Sequence, residues 1–311
     1  MVILVTGGTG YIGSLLIREL PYVGNFKGET IRIFDNMASN KYYSLFNLPS
    51  AKYELILGDL KNEKDVKKAF KDVRIVFDLA GFTSVPLSYK MKKETFETNV
   101  KGVEKILNIA ISSDIEKIVY SSSAAVYGNV KGIVDENHKC NPQSPYARSK
   151  LLAEELYLKA YKNSELPVNI LRFGTVFGFA PGIRFDTVIN RFVFLASIGY
   201  PLTIWKGAEE GMRPYLHVKD AINALIKTSL SKIKGEVFNV TSVNAKLKEV
   251  IKVMQDVIPD IKVTYVEAPY KEQVSYGLNI NKIRKIIGYN PSHTLKDGIE
   301  EVFQKFKNLI K

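Results

Sequence analysis

Residues 2–20 read "VILVTGGTGYIGSLLIREL", and this stretch decides the fold. Five β-branched or aliphatic residues predict a strand, a glycine-rich turn follows at once, and an amphipathic helix opens at Tyr11. Gly7, Gly10 and Gly13 form the pattern G-x-x-G-x-x-G. Glycines there allow φ > 0 in the turn, close backbone approach to a ligand, and close packing of helix on strand, while the helix N-terminus attracts an anion. Read alone, such a turn is either a phosphate cradle or a tight connection that binds nothing, and the surrounding chain must choose.

The next strand, "IRIFD" (31–35), ends on Asp35, 22 residues after Gly13. A carboxylate in that place accepts both hydroxyls of an adenine ribose and repels a 2′-phosphate, which points to NAD rather than NADP. Asp59 follows the third strand in "LGDL" and either meets the adenine or caps the next helix.

Working outward, further strands are expected at 53–57, 74–78, 117–121, 168–173 and 236–240, with helices near 11–20, 63–71, 93–113 and 146–162 between the earlier ones. Apolar runs separated by helices are what a parallel sheet covered on both faces produces, so the class is a doubly wound α/β fold. From Gly174 the spacing loosens through "GTVFGFAPGIRFD", and helices are expected near 186–198, 218–231, 246–257, 280–287 and 295–309. The expected division is 1–173 with 214–240 as the dinucleotide-binding domain, and 174–213 with 241–311 as a smaller α/β lobe that binds substrate.

Composition narrows the function. The 311 residues are 46% hydrophobic and 24% charged, an ordinary globular balance, and no apolar run approaches the roughly 20 residues that span a bilayer. The chain reads as soluble and cytoplasmic. One cysteine, Cys140, forms no internal disulfide, and His138, His217 and His293 are spread too widely for a metal site. The charge of +12 raises nucleic acid as a partner. Lysines fall singly or in pairs among acids, as in "KNEKDVKKAFKD", which describes solvated helix faces rather than a nucleic-acid groove.

One more stretch carries chemistry. In "SPYARSKLLAEEL" (144–156), Tyr146 and Lys150 sit four residues apart, on one face of a helix that Pro145 opens. By spacing alone they are a solvated pair or two members of a site.

The glycine cradle, Asp35-Asn36, "GDL" (58–60), "SSSAAVYG" (121–128) and "YARSK" (146–150) together resemble the extended branch of the short-chain dehydrogenase/reductase superfamily. More narrowly the chain is similar to the nucleotide-sugar epimerases typified by UDP-glucose 4-epimerase, from Met1 to about Pro291. The resemblance implies a Rossmann-type sheet, a homodimer, NAD as cofactor and a UDP-sugar substrate. It makes Tyr146 the catalytic base and acid, Lys150 the residue that steadies its phenolate and holds the nicotinamide ribose, and Ser123 the hydroxyl that orients the reacting oxygen. A free phenol titrates near 10, so cationic help is required. The NAD contacts it implies are Gly7, Gly10, Tyr11, Ile12, Gly13, Asp35, Asn36, Asp59, Leu60, Leu79, Ala80, Gly81, Asn99, Ser121, Tyr146 and Lys150.

For the substrate, the resemblance implies Arg213 as a diphosphate clamp, with Ser84, Ser123, Thr175, Val188 and Thr203 around the sugar and base. Three departures stand out. Thr175 replaces the family's asparagine, Tyr270 stands where a second diphosphate arginine is common, with Lys271 beside it, and Asp78 stands where the family usually has histidine. After Ser123, related dehydratases carry Asp-Glu, whereas this chain has Ala124-Ala125, which transfer no protons. Epimerisation is therefore favoured over dehydration or decarboxylation, with net oxidation or reduction of an alcohol or sugar as the alternative.

Overall fold

The strand Val2–Thr6 is buried at every position, as a strand covered on both faces must be. The computed structural model describes residues 1–267 and 275–309 and places this strand inside a seven-stranded sheet. Its order is Glu236–Val240, Val168–Phe173, Lys117–Ser123, Val73–Asp78, Val2–Thr6, Thr30–Asp35, Lys52–Leu57, and every neighbouring pair is parallel. Side chains alternate between two cores. Ile3 and Val5 pack with the helices Tyr11–Glu19 and Val218–Leu230. Val2 and Leu4 pack with Glu63–Ala69, Gly102–Ala110 and Pro145–Ser164. The period of two in the strands and the helices on both faces together define a doubly wound, Rossmann-type sheet.

A third core belongs to a smaller lobe, where Phe177, Ile189, Val193, Tyr215, Val250, Met254 and Val302 lie together. Most strands here are short: Val243–Lys246, Met212–His217 and Thr175–Phe177 form one sheet, while Leu202–Trp205 pairs with Val263–Val266. Ser275–Leu278 pairs with Lys131–Val134.

The expected helix over 93–113 is broken into Lys92–Phe96, a π-helical turn Glu97–Lys101, and Gly102–Ala110. The wide turn brings Asn99 to the loop after the fourth strand, where its amide accepts from Phe82 N at 2.7 Å and donates to Phe82 O at 2.9 Å and Ser149 Oγ at 2.9 Å. π-turns inside helices concentrate at functional positions. A short helix, Val85–Lys90, has no counterpart in the sequence reading.

Candidate active site

Strand order reverses between Val2–Thr6 and its two neighbours, so the loops leaving Thr6 and Asp78 diverge and open a crevice at the carboxyl edge of the sheet. Gly7 has φ +66°, and a Cβ there would lie 2.8 Å from Ala80 Cα. A Cβ on Gly13 would lie 2.3 Å from Gly7 O. Both positions require glycine because backbone fills the space a side chain would need. Thr6 joins the two loops: its hydroxyl donates to Asp78 Oδ1 at 2.6 Å and accepts from Leu79 N and Ala80 N at 3.1 and 3.0 Å.

Asp35 is held from both sides, one oxygen accepting from Thr9 N at 3.0 Å and the other from Met37 N at 2.9 Å. A carboxylate has about four acceptor sites, so two remain for a diol. Asn36 Nδ2 donates to Asp59 Oδ2 at 3.2 Å, and Asp59 Oδ1 accepts from Lys61 N at 2.8 Å. Leu60 is buried, and Gly102 packs directly on it. Tyr11 presents only backbone to the cradle, because its buried hydroxyl donates to Gly178 O and accepts from Asn190 Nδ2 at 3.0 Å. The Ile12 side chain packs on the first core. Glycines that backbone closes, a helix N-terminus and a diol-binding carboxylate fit NAD.

The helix Pro145–Ser164 starts where Ser144 caps Ala147 N at 3.1 Å. Its buried stripe includes Ala147, Lys150, Ala153, Tyr157 and Ala160, spaced three or four apart, so Lys150 is turned inward by the same periodicity that packs the helix. Lys150 Nζ donates to Ser121 O at 2.7 Å and lies 4.7 Å from the Tyr120 ring centroid. Burial pushes this ammonium down to about 8, against the opposing charges of Asp78 and Glu154. Asp78 accepts from Tyr157 at 2.7 Å, and burial raises its carboxyl above the usual range. Glu154 accepts from Ser122 Oγ and pairs with Arg172 at 2.6 Å.

Tyr146 is half-buried in the first turn of this helix. Burial raises this phenol, while Ser123 and the charge of Arg184 pull it down. Arg184, a residue the sequence reading did not single out, also acts on this phenol through its charge. Arg184 lies in the loop before the helix Val188–Ser197, and its guanidinium bonds Asp186 at 2.8 and 2.6 Å and Thr83 Oγ1 at 2.5 Å. Asn190, fully buried, holds the base of that loop, accepting from Gly178 N at 3.1 Å and donating to Arg184 O at 3.0 Å. In the sequence, Arg184 and Asn190 are polar positions within the largely apolar stretch "GIRFDTVINRF" (182–192).

The remaining expected positions are scattered more widely. Ser84 caps the helix Val85–Lys90 through Leu87 N at 3.4 Å. Thr175 lies in the strand Thr175–Phe177 opposite Tyr215, and Arg213 in Met212–His217 opposite Ala245. Val188 packs on the smaller lobe's core. Thr203 is exposed on its strand, and Trp205 is 45% exposed rather than core. Tyr270 and Lys271 lie outside the described residues. His217 is buried at the lobe boundary, stacked on His293 at 4.2 Å with Glu301 at 3.2 Å. Among the described residues no group of His, Cys, Asp and Glu could hold a metal ion, and no helix is long and apolar enough to cross a membrane.

A Rossmann-type crevice ending in Ser123, Tyr146 and Lys150 defines a dinucleotide-dependent member of the short-chain dehydrogenase/reductase superfamily. Residues 3–241 match the model of the NAD dependent epimerase/dehydratase family, and the chain belongs to it. NAD is accordingly its cofactor. The chain is 30% identical to the uncharacterized UDP-glucose epimerase YtcB of Bacillus subtilis, over 96% of each chain. It is 28% identical to a UDP-N-acetyl-alpha-D-glucosaminuronate decarboxylase of Bacillus cytotoxicus, over 98% of each. It also resembles the crystal structure of UDP-glucose 4-epimerase with UDP-glucose from Thermotoga maritima, with TM-score 0.89 and 25% identity over 99% of each chain.

Proposed function

We propose that the protein is a UDP-sugar 4-epimerase. The observation that carries this reading is the Ser123–Tyr146 pair standing beside Ala124 and Ala125. The two alanines sit in a 3-10 turn capped by Ser123, and the Ala124 carbonyl is taken by the Tyr276 hydroxyl at 2.8 Å. Neither side chain at 124–125 carries a proton for eliminating water. What remains suits the exchange of one hydroxyl proton.

NAD supplies the acceptor and donor of hydride when bound. Tyr146 takes the proton from the hydroxyl on the reacting ring carbon and later returns it, and Ser123 orients that oxygen. Lys150 holds its ammonium against Ser121 O on the side where the cofactor's ribose would lie. Asn99 fixes the Phe82 backbone and Ser149, and so sets the wall of the pocket. Gly7, Gly10 and Gly13, the backbone of Tyr11 and Ile12, and Asp35 hold the dinucleotide, with Asn36, Asp59, Leu60, Leu79, Ala80, Gly81 and Ser121 around it. Arg213 takes the diphosphate of the substrate because a guanidinium matches paired oxygens, with Thr175, Ser84, Val188 and Thr203 further along the cleft. Support for the epimerase comes from the UDP-glucose epimerase relative and the 4-epimerase structural likeness.

The test is to incubate the purified protein with UDP-, dTDP- and GDP-sugars and separate the products by chromatography. Interconversion of a UDP-hexose pair without net NADH absorbance is the expected result. Steady accumulation of NADH would replace the reading by a net dehydrogenase, and release of carbon dioxide from a UDP-uronate by a decarboxylase. The reading also includes a homodimer. Phe96, Val100, Leu152 and Leu156 line an apolar surface groove between the segment 92–110 and the helix Pro145–Ser164. A monomer mass in light scattering at micromolar concentration would sink it.

A further inference from the structure

Three neighbouring strands end side by side on the face that carries the helix Pro145–Ser164. Thr6, Asp78 and Tyr120 are partners across Val2–Thr6, Val73–Asp78 and Lys117–Ser123, so their side chains leave the sheet in one direction. Asp78, standing where the family usually has histidine, is fully buried between the other two. One of its oxygens accepts from Thr6 Oγ1 at 2.6 Å, at the root of the glycine cradle, and the other from Tyr157 OH at 2.7 Å, on the helix. An ionised carboxylate only accepts, so two donors can be bridged through it. Tyr157 follows Lys150 by seven residues, two turns along the same buried face. Its ring packs on Tyr120 with centroids 4.9 Å apart, and the Lys150 ammonium rests 4.7 Å from the centroid of that same Tyr120 ring. The loop leaving Asp78 touches both ends of this arrangement. Ala80 lies against Gly7, and a Cβ on Gly81 would stand 3.7 Å from Lys150 Nζ.

We propose that Asp78 is a positioning residue for the cofactor: by tying Tyr157 to Thr6 it fixes the Tyr157–Tyr120 surface under Lys150, and so sets the spacing between Lys150 and the glycine cradle. This rests on the reading of Lys150 as the residue that holds the nicotinamide ribose.

The other bonds of the helix do not make this connection. Glu154 bonds Ser122 and Arg172, which hold the helix to Lys117–Ser123 and Val168–Phe173. Lys150 itself bonds Ser121 O, again on Lys117–Ser123. Asp78 carries the connection from there across to Val2–Thr6, the strand that feeds the cradle. A dinucleotide engages both ends, with its pyrophosphate on the cradle and its nicotinamide ribose at Lys150, and therefore feels their spacing. A nucleoside diphosphate stops at the phosphates and does not.

The experiment titrates the full chain, freed of nucleotide, with NAD and with ADP in a calorimeter. Tyr157→Phe removes one hydroxyl and keeps the ring on Tyr120, whereas Asp78→Ala removes both bonds. In each variant ADP is expected to bind within about twofold of wild type, while NAD weakens by about tenfold, the scale of one lost hydrogen bond to a charged group. Asp78→Asn, which keeps the shape and one acceptor oxygen, recovers part of that loss. The double variant Asp78→Ala with Tyr157→Phe binds NAD no more weakly than Asp78→Ala alone, because both changes break the same tie. Where Asp78→Ala fails to fold, Tyr157→Phe decides by itself. Equal weakening of ADP and NAD means a crevice loosened as a whole and overturns the proposal, as do an unchanged NAD affinity in Tyr157→Phe and losses that add in the double variant. Lys150→Met shows the same loss confined to NAD. If it does not, the reading of Lys150 has failed and the proposal with it, an outcome distinct from a Lys150 effect that Asp78 and Tyr157 do not share.

Discussion

The cradle domain and the smaller lobe hold the same crevice by different means. In the first, Gly7 and Gly13 abut backbone that is itself pinned, Gly7 by a hydrogen bond to Phe34 O at 2.8 Å and Gly13 by the start of a helix. In the second, Gly182 makes an equally close approach to Gly10 O, but it sits in a loop tied by side chains of Ser14 and Lys41. Cofactor binding is thus built on secondary structure and cannot give way. The grip on its outer side is built on side-chain tethers and can adjust. For the proposed epimerase, that difference suits a cofactor that stays and a substrate that must enter and leave.

Substitutions can break or sharpen the contrast. The largest effect is expected from Tyr146→Phe, which removes the proton acceptor and leaves the cradle untouched. Turnover should fall by ~10³-fold while NAD binding, followed by calorimetry, is unchanged. A variant that kept its rate would show that the two regions do not meet at this phenol. Gly13→Ala comes next: the new methyl meets Gly7 O with no side chain to move aside, and thermal or denaturant unfolding should report a loss of about 3 kcal/mol along with NAD retention.

Gly182→Ala places the same methyl against the same loop from the other side. The tethered loop should yield, costing about 1 kcal/mol of stability and weakening NAD by about fivefold. Equal losses in Gly13→Ala and Gly182→Ala would erase the distinction between rigid and adjustable walls. The smallest effect belongs to Lys206→Ala at the exposed rim of the smaller lobe. Its pair with Glu267 leaves the side chains 60% and 83% exposed, so the melting curve should move by less than the equivalent of about 0.5 kcal/mol.

Legibility in the sequence follows the same division. Strands 2–6, 74–78, 117–121 and 168–173 were expected within a residue or two of their observed ends, because a strand buried on both faces must be apolar along its length. The short strands Lys131–Val134, Thr175–Phe177 and Val243–Lys246 carry three or four residues each and no such run, so their pairing depends on what packs beside them. Asn99 was singled out, yet the π-turn that aims it was not, since a helix with one residue too many per turn keeps an unremarkable apolar pattern. Asp78 was noted only as a departure, whereas its bonds to Thr6 and Tyr157 make it the buried acid beneath Lys150.

By itself the sequence determined the parallel sheet, the glycine crevice with its Asp35, and the helical face shared by Tyr146 and Lys150, because each rests on spacing within one element or one turn. Only tertiary structure decided that Arg184 would reach Thr83 across the cleft. Those two residues are 101 positions apart in the chain, and a hydrogen bond depends on distance and direction in space, which no local pattern encodes.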